Sequence, residues 1–267
     1  MNSPHSPSGP VFTAPAKKQL GQHFLADRHY IDKIVMAVNP KEGDRLVEIG
    51  PGQGAITLPL LRVHPKLTVI EFDRDLIAPL TAAAEPLGEL TIVHRDVLRV
   101  DFTELAAGQP IRLVGNLPYN ISSPILFHAL EHAAVIRDMH FMLQKEVVDR
   151  MAAGPGSKVY GRLSVMLQAY CQVTSLFVVP PGAFRPPPKV DSAVVRLVPR
   201  DPATINIHDH KRFAEVVKAA FGQRRKTLRN ALNNVVSAEQ FVAAGVRPDA
   251  RAEQLDVAEF IALANAS

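Results

Sequence analysis

Apolar positions along this chain change period from segment to segment, and the changes outline its elements. Arg45-Leu46-Val47-Glu48-Ile49, residues 67–70, residues 90–94 and Ile111-Arg112-Leu113-Val114 are short, nearly continuous apolar runs of strand length. Between them lie longer segments with apolar residues at helical spacing, and strands that alternate with helices predict a parallel sheet covered on both faces. Upstream, Ile31, Ile34, Val35 and Val38 share one helical face, with Asp27 as N-cap and Pro40 beyond the end. Residues 123–132 predict another helix, and residues 192–198 alternate as a closing strand. Past Pro199 and Pro202 the strand pattern stops, and Phe213, Val216, Val217 and Ala220 mark a helix with one apolar face. The pattern therefore predicts an α/β domain over 17–199 and a small helical domain over 200–267. Residues 1–16, rich in Pro and Ser without an apolar period, predict a disordered leader.

Composition narrows the class. A chain of 267 residues with 47% hydrophobic content can bury a large core. The single cysteine, Cys171, excludes an internal disulfide framework. The N-terminus lacks an apolar export signal and no apolar run is long enough to span a bilayer, so a soluble, cytoplasmic protein without membrane attachment is expected. The formal charge is only +4, with a sequence pI of 9.3, so the distribution of charge carries more information than its sum. Phe221-Gly222-Gln223-Arg224-Arg225-Lys226-Thr227-Leu228-Arg229-Asn230 has four cations and no acid, while Leu228, Ala231, Leu232 and Val235 are expected to anchor the same helix. Arg224, Arg225, Lys226 and Arg229 are therefore candidates for neutralising nucleic-acid phosphates, with Lys17 and Lys18 as a possible extension of that surface.

Candidate chemistry collects where ligands of open α/β sheets bind, at the carboxyl ends of the strands. The first strand opens into Gly50-Pro51-Gly52-Gln53-Gly54, and the second ends at Glu71. Glycines permit a tight turn and close approach to a ligand, and an acid roughly 20 positions later suits a ribose diol. G-x-G-x-G spacing with Pro51 in the loop fits a nucleoside-type cofactor better than a dinucleotide pyrophosphate. Asp96, after the third strand, either accepts a hydrogen bond from the exocyclic amine of the cofactor's adenine or caps a helix. Asn116-Leu117-Pro118-Tyr119 follows the fourth strand. Pro118 pushes Leu117 into an extended conformation, leaving the Leu117 carbonyl beside the Asn116 side-chain carbonyl. Two acceptors facing one amine hold both of its hydrogens and draw an adenine N6 toward the sp³ geometry of a nucleophile. Tyr119 is placed to stack on a base taken out of its helix. Phe184, on a proline-stiffened loop, is either a second wall of that pocket or a plug on the core. His128-Ala129-Leu130-Glu131-His132 matches a zinc-protease pattern, but such short patterns recur by chance and no third ligand stands out, so solvent-facing histidines and no metal are expected.

Together, residues 48–54, Asp96, Asn116-Leu117-Pro118-Tyr119 and Phe184-Arg185-Pro186-Pro187-Pro188-Lys189-Val190 resemble the ribosomal RNA adenine N6-dimethyltransferases, in particular their small-subunit branch. The likeness runs from about Lys17 to the C-terminus. It implies a Rossmann-like class I methyltransferase domain that binds S-adenosyl-L-methionine, a closing antiparallel strand, and a small C-terminal helical domain. The implied reaction is dimethylation of two adjacent adenosines in a loop near the 3′ end of 16S rRNA, in an immature 30S-type particle; a monomer is the default expectation. Carried over by motif, His23 and Leu25 border the cofactor, Gly50 and Gly52 its methionine part, Glu71 the ribose hydroxyls and Asp96 the adenine. Asn116 serves both cofactor and target amine, and the resemblance turns Phe184 toward the pocket. His23 stands where the family commonly has Asn. The alternatives are a large-subunit rRNA dimethyltransferase of the antibiotic-resistance type, a mainly non-catalytic small-subunit assembly factor and, more distantly, a DNA adenine methyltransferase or a nicotinamide oxidoreductase.

Overall fold

In the computed structural model, residues 23–223 and 225–267 are described; the expected leader over 1–16, Lys17, Lys18 and Arg224 lie outside them. In chain order the elements are β1 (Phe24–Leu25), α1 (Arg28–Val38), β2 (Arg45–Ile49), α2 (Thr57–Val63), β3 (Lys66–Glu71), α3 (Arg74–Ala84), β4 (Glu89–His94) and α4 (Phe102–Ala106). There follow β5 (Ile111–Asn116), α5 (Ser122–Glu131), β6 (Ile136–Gln144), α6 (Lys145–Ala152), α7 (Arg162–Tyr170), β7 (Cys171–Val179), β8 (Phe184–Arg185) and β9 (Ser192–Pro199). Helices α8 (His210–Gly222), α9 (Leu228–Ala231), α10 (Ala238–Ala244) and α11 (Val257–Asn265) complete the chain.

The seven-stranded sheet has the order β4-β3-β2-β5-β6-β9-β7. Strands β2 to β6 pair in parallel, and β9 pairs antiparallel with β6 from Met139↔Leu197 to Gln144↔Ser192. In β2, Leu46 through Ile49 are all buried, as expected of a central strand covered on both faces. Asp27 caps α1 by accepting from the His29 N–H, and Asp73 caps α3 from Asp75. The order places the change in strand direction of travel between β2 and β5, so the carboxyl ends of these two strands flank the crevice where the fold binds ligands.

At the other end of the strands, near the start of β5, Arg112 is buried. Its Nε and Nη2 donate to Asp138 at 2.8 and 2.9 Å, Nη1 donates to Asp44 at 2.6 Å, and Nη2 also donates to the Val38 carbonyl at 2.7 Å. Burial opposes ionisation of both acids, yet the Arg112 hydrogen bonds, with the Lys41 N–H on Asp44, hold both below the usual carboxylate range.

The chain forms two compact units, one of the described residues up to Lys145 with Ser175–Leu197, the other Glu146–Thr174 with Val198–Ser267. This departs from a division at residue 199/200. Helix α7 turns Val165, Met166, Leu167 and Ala169 inward and packs against α8 and α11, so an internal stretch belongs with the C-terminal helices. Within this second unit Phe221 meets Phe260 at 5.5 Å between ring centres. The basic run also departs from expectation: α8 ends at Gly222 and α9 begins at Leu228, so Arg225 and Lys226 sit in the turn between two helices and not on one continuous helix. Leu228 and Leu232 are fully buried and anchor that turn, leaving Arg225, Lys226 and Arg229 exposed.

Candidate active site

A cavity of 280 Å³ opens at the carboxyl ends of β2, β3 and β5 and at the turn after β4. It is lined by all the residues expected around a cofactor, namely His23, Leu25, Gly50, Gly52, Glu71, Asp96 and Asn116, together with Leu117, Pro118 and Tyr119. Parallel pairing is what gathers them: residues far apart in the chain end neighbouring strands at one level, as the register Glu48↔Val69 and Glu48↔Val114 shows. Gly50 and Gly52 hold φ of 67° and 56°, a left-handed backbone open to glycine, so the loop turns sharply beneath the cavity. A Cβ on Gly52 would stand 3.1 Å from the Phe24 ring.

Three acids face this space. Glu71 accepts from the Asp73 N–H at 2.7 Å and from the Gly52 N–H at 3.3 Å, and burial nonetheless raises it above the ordinary glutamate value. Asp96 accepts from the Leu98 N–H at 3.0 Å, so it caps a 3-10 turn while also lining the cavity. Glu48, 1% exposed, accepts from Thr57 Oγ1 at 2.6 Å. Burial pushes it up to about 8, against the Thr57 hydrogen bond and with the help of Glu71.

On the substrate side, Asn116 Nδ2 donates to the His23 carbonyl at 2.9 Å. A carbonyl can only accept, so this bond orients the amide and leaves Oδ1 as its acceptor. Leu117 is held by its N–H to the Met142 carbonyl at 3.0 Å, and its own carbonyl accepts no hydrogen bond among the described residues. Tyr119 donates or accepts at Ser192 Oγ at 2.6 Å, and its ring stacks on His23 at 5.6 Å and 27°. His23 Nδ1 lies 3.0 Å from the Pro186 carbonyl, which makes Nδ1 the protonated nitrogen.

Phe184 is the exception among the expected site residues. It is fully buried, belongs to the hydrophobic core, and does not line the cavity. Its backbone pairs with Leu25 in the β1–β8 ribbon, which commits the ring to the core side. The plug, not the second wall, is what the fold realises. The histidines at the end of α5 are half-buried and engaged: His128 Nε2 bonds the Val100 carbonyl at 2.8 Å, His132, just past the helix, brings Nδ1 to Thr103 Oγ1 at 3.1 Å, and both rings pack on Phe102. Among the described residues no group of three His, Cys, Asp or Glu side chains is arranged to hold a metal ion.

Among the lining residues that sequence reasoning did not single out for the site are Phe24, Glu48, Phe72 and Arg95. Glu48 was detectable as an acid inside an otherwise apolar strand. Phe72, 62% exposed beside Glu71, and exposed Arg95 had no signal, because only the pairing of β3 with β4 brings them to the cavity.

Comparison with known proteins agrees with this architecture. The chain is 81% identical over 254 residues to ribosomal RNA small subunit methyltransferase A of Xanthomonas oryzae pv. oryzae (strain PXO99A), covering 95% of this chain and 97% of that relative. A dimethyladenosine transferase from Plasmodium falciparum superposes with a TM-score of 0.77 at 26% identity, covering 90% of this chain and 96% of the other. The 23S rRNA methyltransferase ErmE shares the fold, with a TM-score of 0.71 at 24% identity over 91% of this chain and 98% of its own. No helix among the described residues is long and apolar enough to cross a membrane. The ribosomal RNA adenine dimethylase profile matches residues 14–267, and the chain belongs to that family.

Proposed function

We propose that this protein uses S-adenosylmethionine to dimethylate the N6 amines of two adjacent adenosines near the 3′ end of 16S rRNA. We further propose that it acts as a monomer, in the cytoplasm, on an immature small subunit. The observation that carries the reading is the pair of acceptors, Asn116 Oδ1 and the Leu117 carbonyl, set beside a cavity walled by a glycine turn and three acids. The close relatives named for the small subunit favour it over the large-subunit alternative.

The cavity fits the cofactor by the chemistry of its donors. In this reading Glu71 takes the ribose diol, Asp96 the adenine amine, and the Gly50–Gly52 turn, with His23 and Leu25, the methionine portion, all of them lining one cavity. When bound, S-adenosylmethionine supplies an electrophilic methyl group. The protein's part is alignment: Asn116 and Leu117 would hold both N6 hydrogens and so orient the nitrogen lone pair for transfer, and Tyr119 would stack on the base. Orientation of this kind can contribute up to roughly 7–11 kcal/mol. The alkylated nitrogen is acidic and loses its proton without a strong base. After the first transfer one N–H remains to anchor the amine; after the second none does, and product binding weakens. The exposed Arg225, Lys226 and Arg229 are proposed, with Arg224, to neutralise RNA phosphates.

The test is methyl transfer from labelled S-adenosylmethionine to unmethylated small subunits, large subunits and duplex DNA in parallel, with the labelled nucleoside identified by mass spectrometry. Dimethyladenosine in small-subunit RNA alone is the expected result. Label in large-subunit RNA or DNA would replace the proposed substrate, and S-adenosylmethionine binding without transfer would favour a binding role in subunit assembly.

A further inference from the structure

Glu48 and Glu71 reach one cavity from adjacent strands, yet their surroundings differ. Both oxygens of Glu71 receive backbone N–H groups, from Gly52 and Asp73. Glu48 receives one hydroxyl, that of Thr57 at the start of α2, and no other hydrogen bond among the described residues. It is also the more deeply buried of the two. A buried carboxylate with a single donor is poorly compensated and takes up a proton unless a cation comes to it.

Among the described residues, the charged and titratable groups around Glu48 supply no such cation at close range. From β3 it faces Glu71, which repels its charge. From α2 it faces the uncharged Thr57, while Arg112 of β5 lies at the opposite end of that strand, bound to Asp44 and Asp138. Asp96, Arg95, His23 and Tyr119 line the same cavity, of which Arg95 is exposed to solvent. A cationic ligand is then the compensating charge that this cavity can take up. S-adenosylmethionine and its demethylated product, S-adenosylhomocysteine, share an ammonium and a carboxylate and differ by the sulfur-bound methyl group and the sulfonium charge that comes with it.

We propose that Glu48 is the counter-charge to the sulfonium: it gives up its proton to the solvent when S-adenosylmethionine binds and keeps it when S-adenosylhomocysteine is bound, so that the site distinguishes cofactor from spent product. This rests on the cofactor reading above. The raised value of about 8 supports it, since at neutral pH the protein then holds the proton that binding expels. The sign follows: affinity for S-adenosylmethionine relative to S-adenosylhomocysteine rises with pH and levels off above about 8. Titration of the shared ammonium cancels in that ratio.

Calorimetry of the full-length protein at pH 7, in buffers of different ionisation enthalpy, counts the protons exchanged with each ligand. About one proton is expected to leave with S-adenosylmethionine and clearly fewer with S-adenosylhomocysteine. In Glu48→Gln, which keeps the shape and an acceptor for Thr57, the difference should vanish and the affinity ratio should fall about tenfold, the scale of one pKa unit. Thr57→Val is the second variant: removing the hydroxyl donor disfavours the carboxylate, so the pH at which the ratio levels off should move upward. Equal proton release with both ligands would mean that the ammonium is sensed, and no release with either would mean that Glu48 stays protonated; both overturn the proposal. So would a Glu48→Gln variant that weakens both ligands equally. Failure of S-adenosylmethionine to bind the wild-type protein at all would instead overturn the cofactor reading, which keeps the two distinguishable.

Discussion

Asn116 carries two separable jobs, and replacing it measures both. In Asn116→Ala the His23 carbonyl loses its 2.9 Å donor, and the target amine loses one of its two acceptors. The first loss falls at a partly buried site where water can replace the amide, so it should cost about 0.5–1.5 kcal/mol of stability. The second is felt only when the amine is aligned for transfer. Losing one hydrogen bond in a site that excludes water costs about 1–3 kcal/mol, roughly a 5–150-fold drop in the rate of the methyl-transfer step. Asn116→Asp separates the jobs, because it keeps an acceptor for the amine but sets a carboxylate oxygen against the His23 carbonyl. It should therefore weaken cofactor binding more than Asn116→Ala does, since His23 lines the same cavity. The assay is single-turnover transfer at saturating cofactor on unmethylated small subunits, with thermal unfolding and cofactor affinity measured alongside. A rate for Asn116→Ala within about twofold of wild type, at saturating cofactor and an unchanged melting temperature, would refute the two-acceptor alignment.

Arg112→Met should cost about 3–5 kcal/mol in urea unfolding at pH 7, because Asp44 and Asp138 are left buried and short of donors. Both acids are held below the usual carboxylate range in the wild-type fold, so the stability they contribute is present above their unfolded values near 4 and lost as pH falls through the folded ones. The gap between wild type and variant should accordingly narrow on acidification, and a gap that widened would contradict the charge network. Reversing Arg225, Lys226 and Arg229 together to Glu should weaken small-subunit binding and lower its salt dependence by about 0.7–0.9 in log–log slope per lost phosphate contact, without changing cofactor affinity. An unchanged slope in filter binding would remove these residues from the RNA surface.

Much of the chain was legible from local rules. Buried parallel strands write themselves as continuous apolar runs, so β2 to β5 were visible, and the glycine turn after Ile49, Glu71, Asp96 and Asn116 followed as the polar residues ending those runs. Asp27 and Asp73 cap helices as short polar side chains do at helix starts. In each case the cause lies within a few residues of the effect.

What the sequence left open depends on residues far away in the chain. Phe184 became a core plug because β8 pairs with β1, placed by a segment 159 positions upstream in the register Leu25↔Phe184. Residues 146–174 joined the second unit because the apolar face of α7 matches α8 and α11, which follow much later. The basic run was divided between a turn and a short helix because buried Leu228 and Leu232 anchor the chain just beyond it. Glu48 shows the difference most sharply. Its acid in an apolar strand was plain to read, but the proton it holds was set by the neighbours that tertiary folding placed around it, one hydroxyl from α2 and one repelling carboxylate from β3. Periodicity and capping are short-range and survive in the sequence; burial, desolvation and pairing partners are long-range sums, and only the folded chain evaluates them.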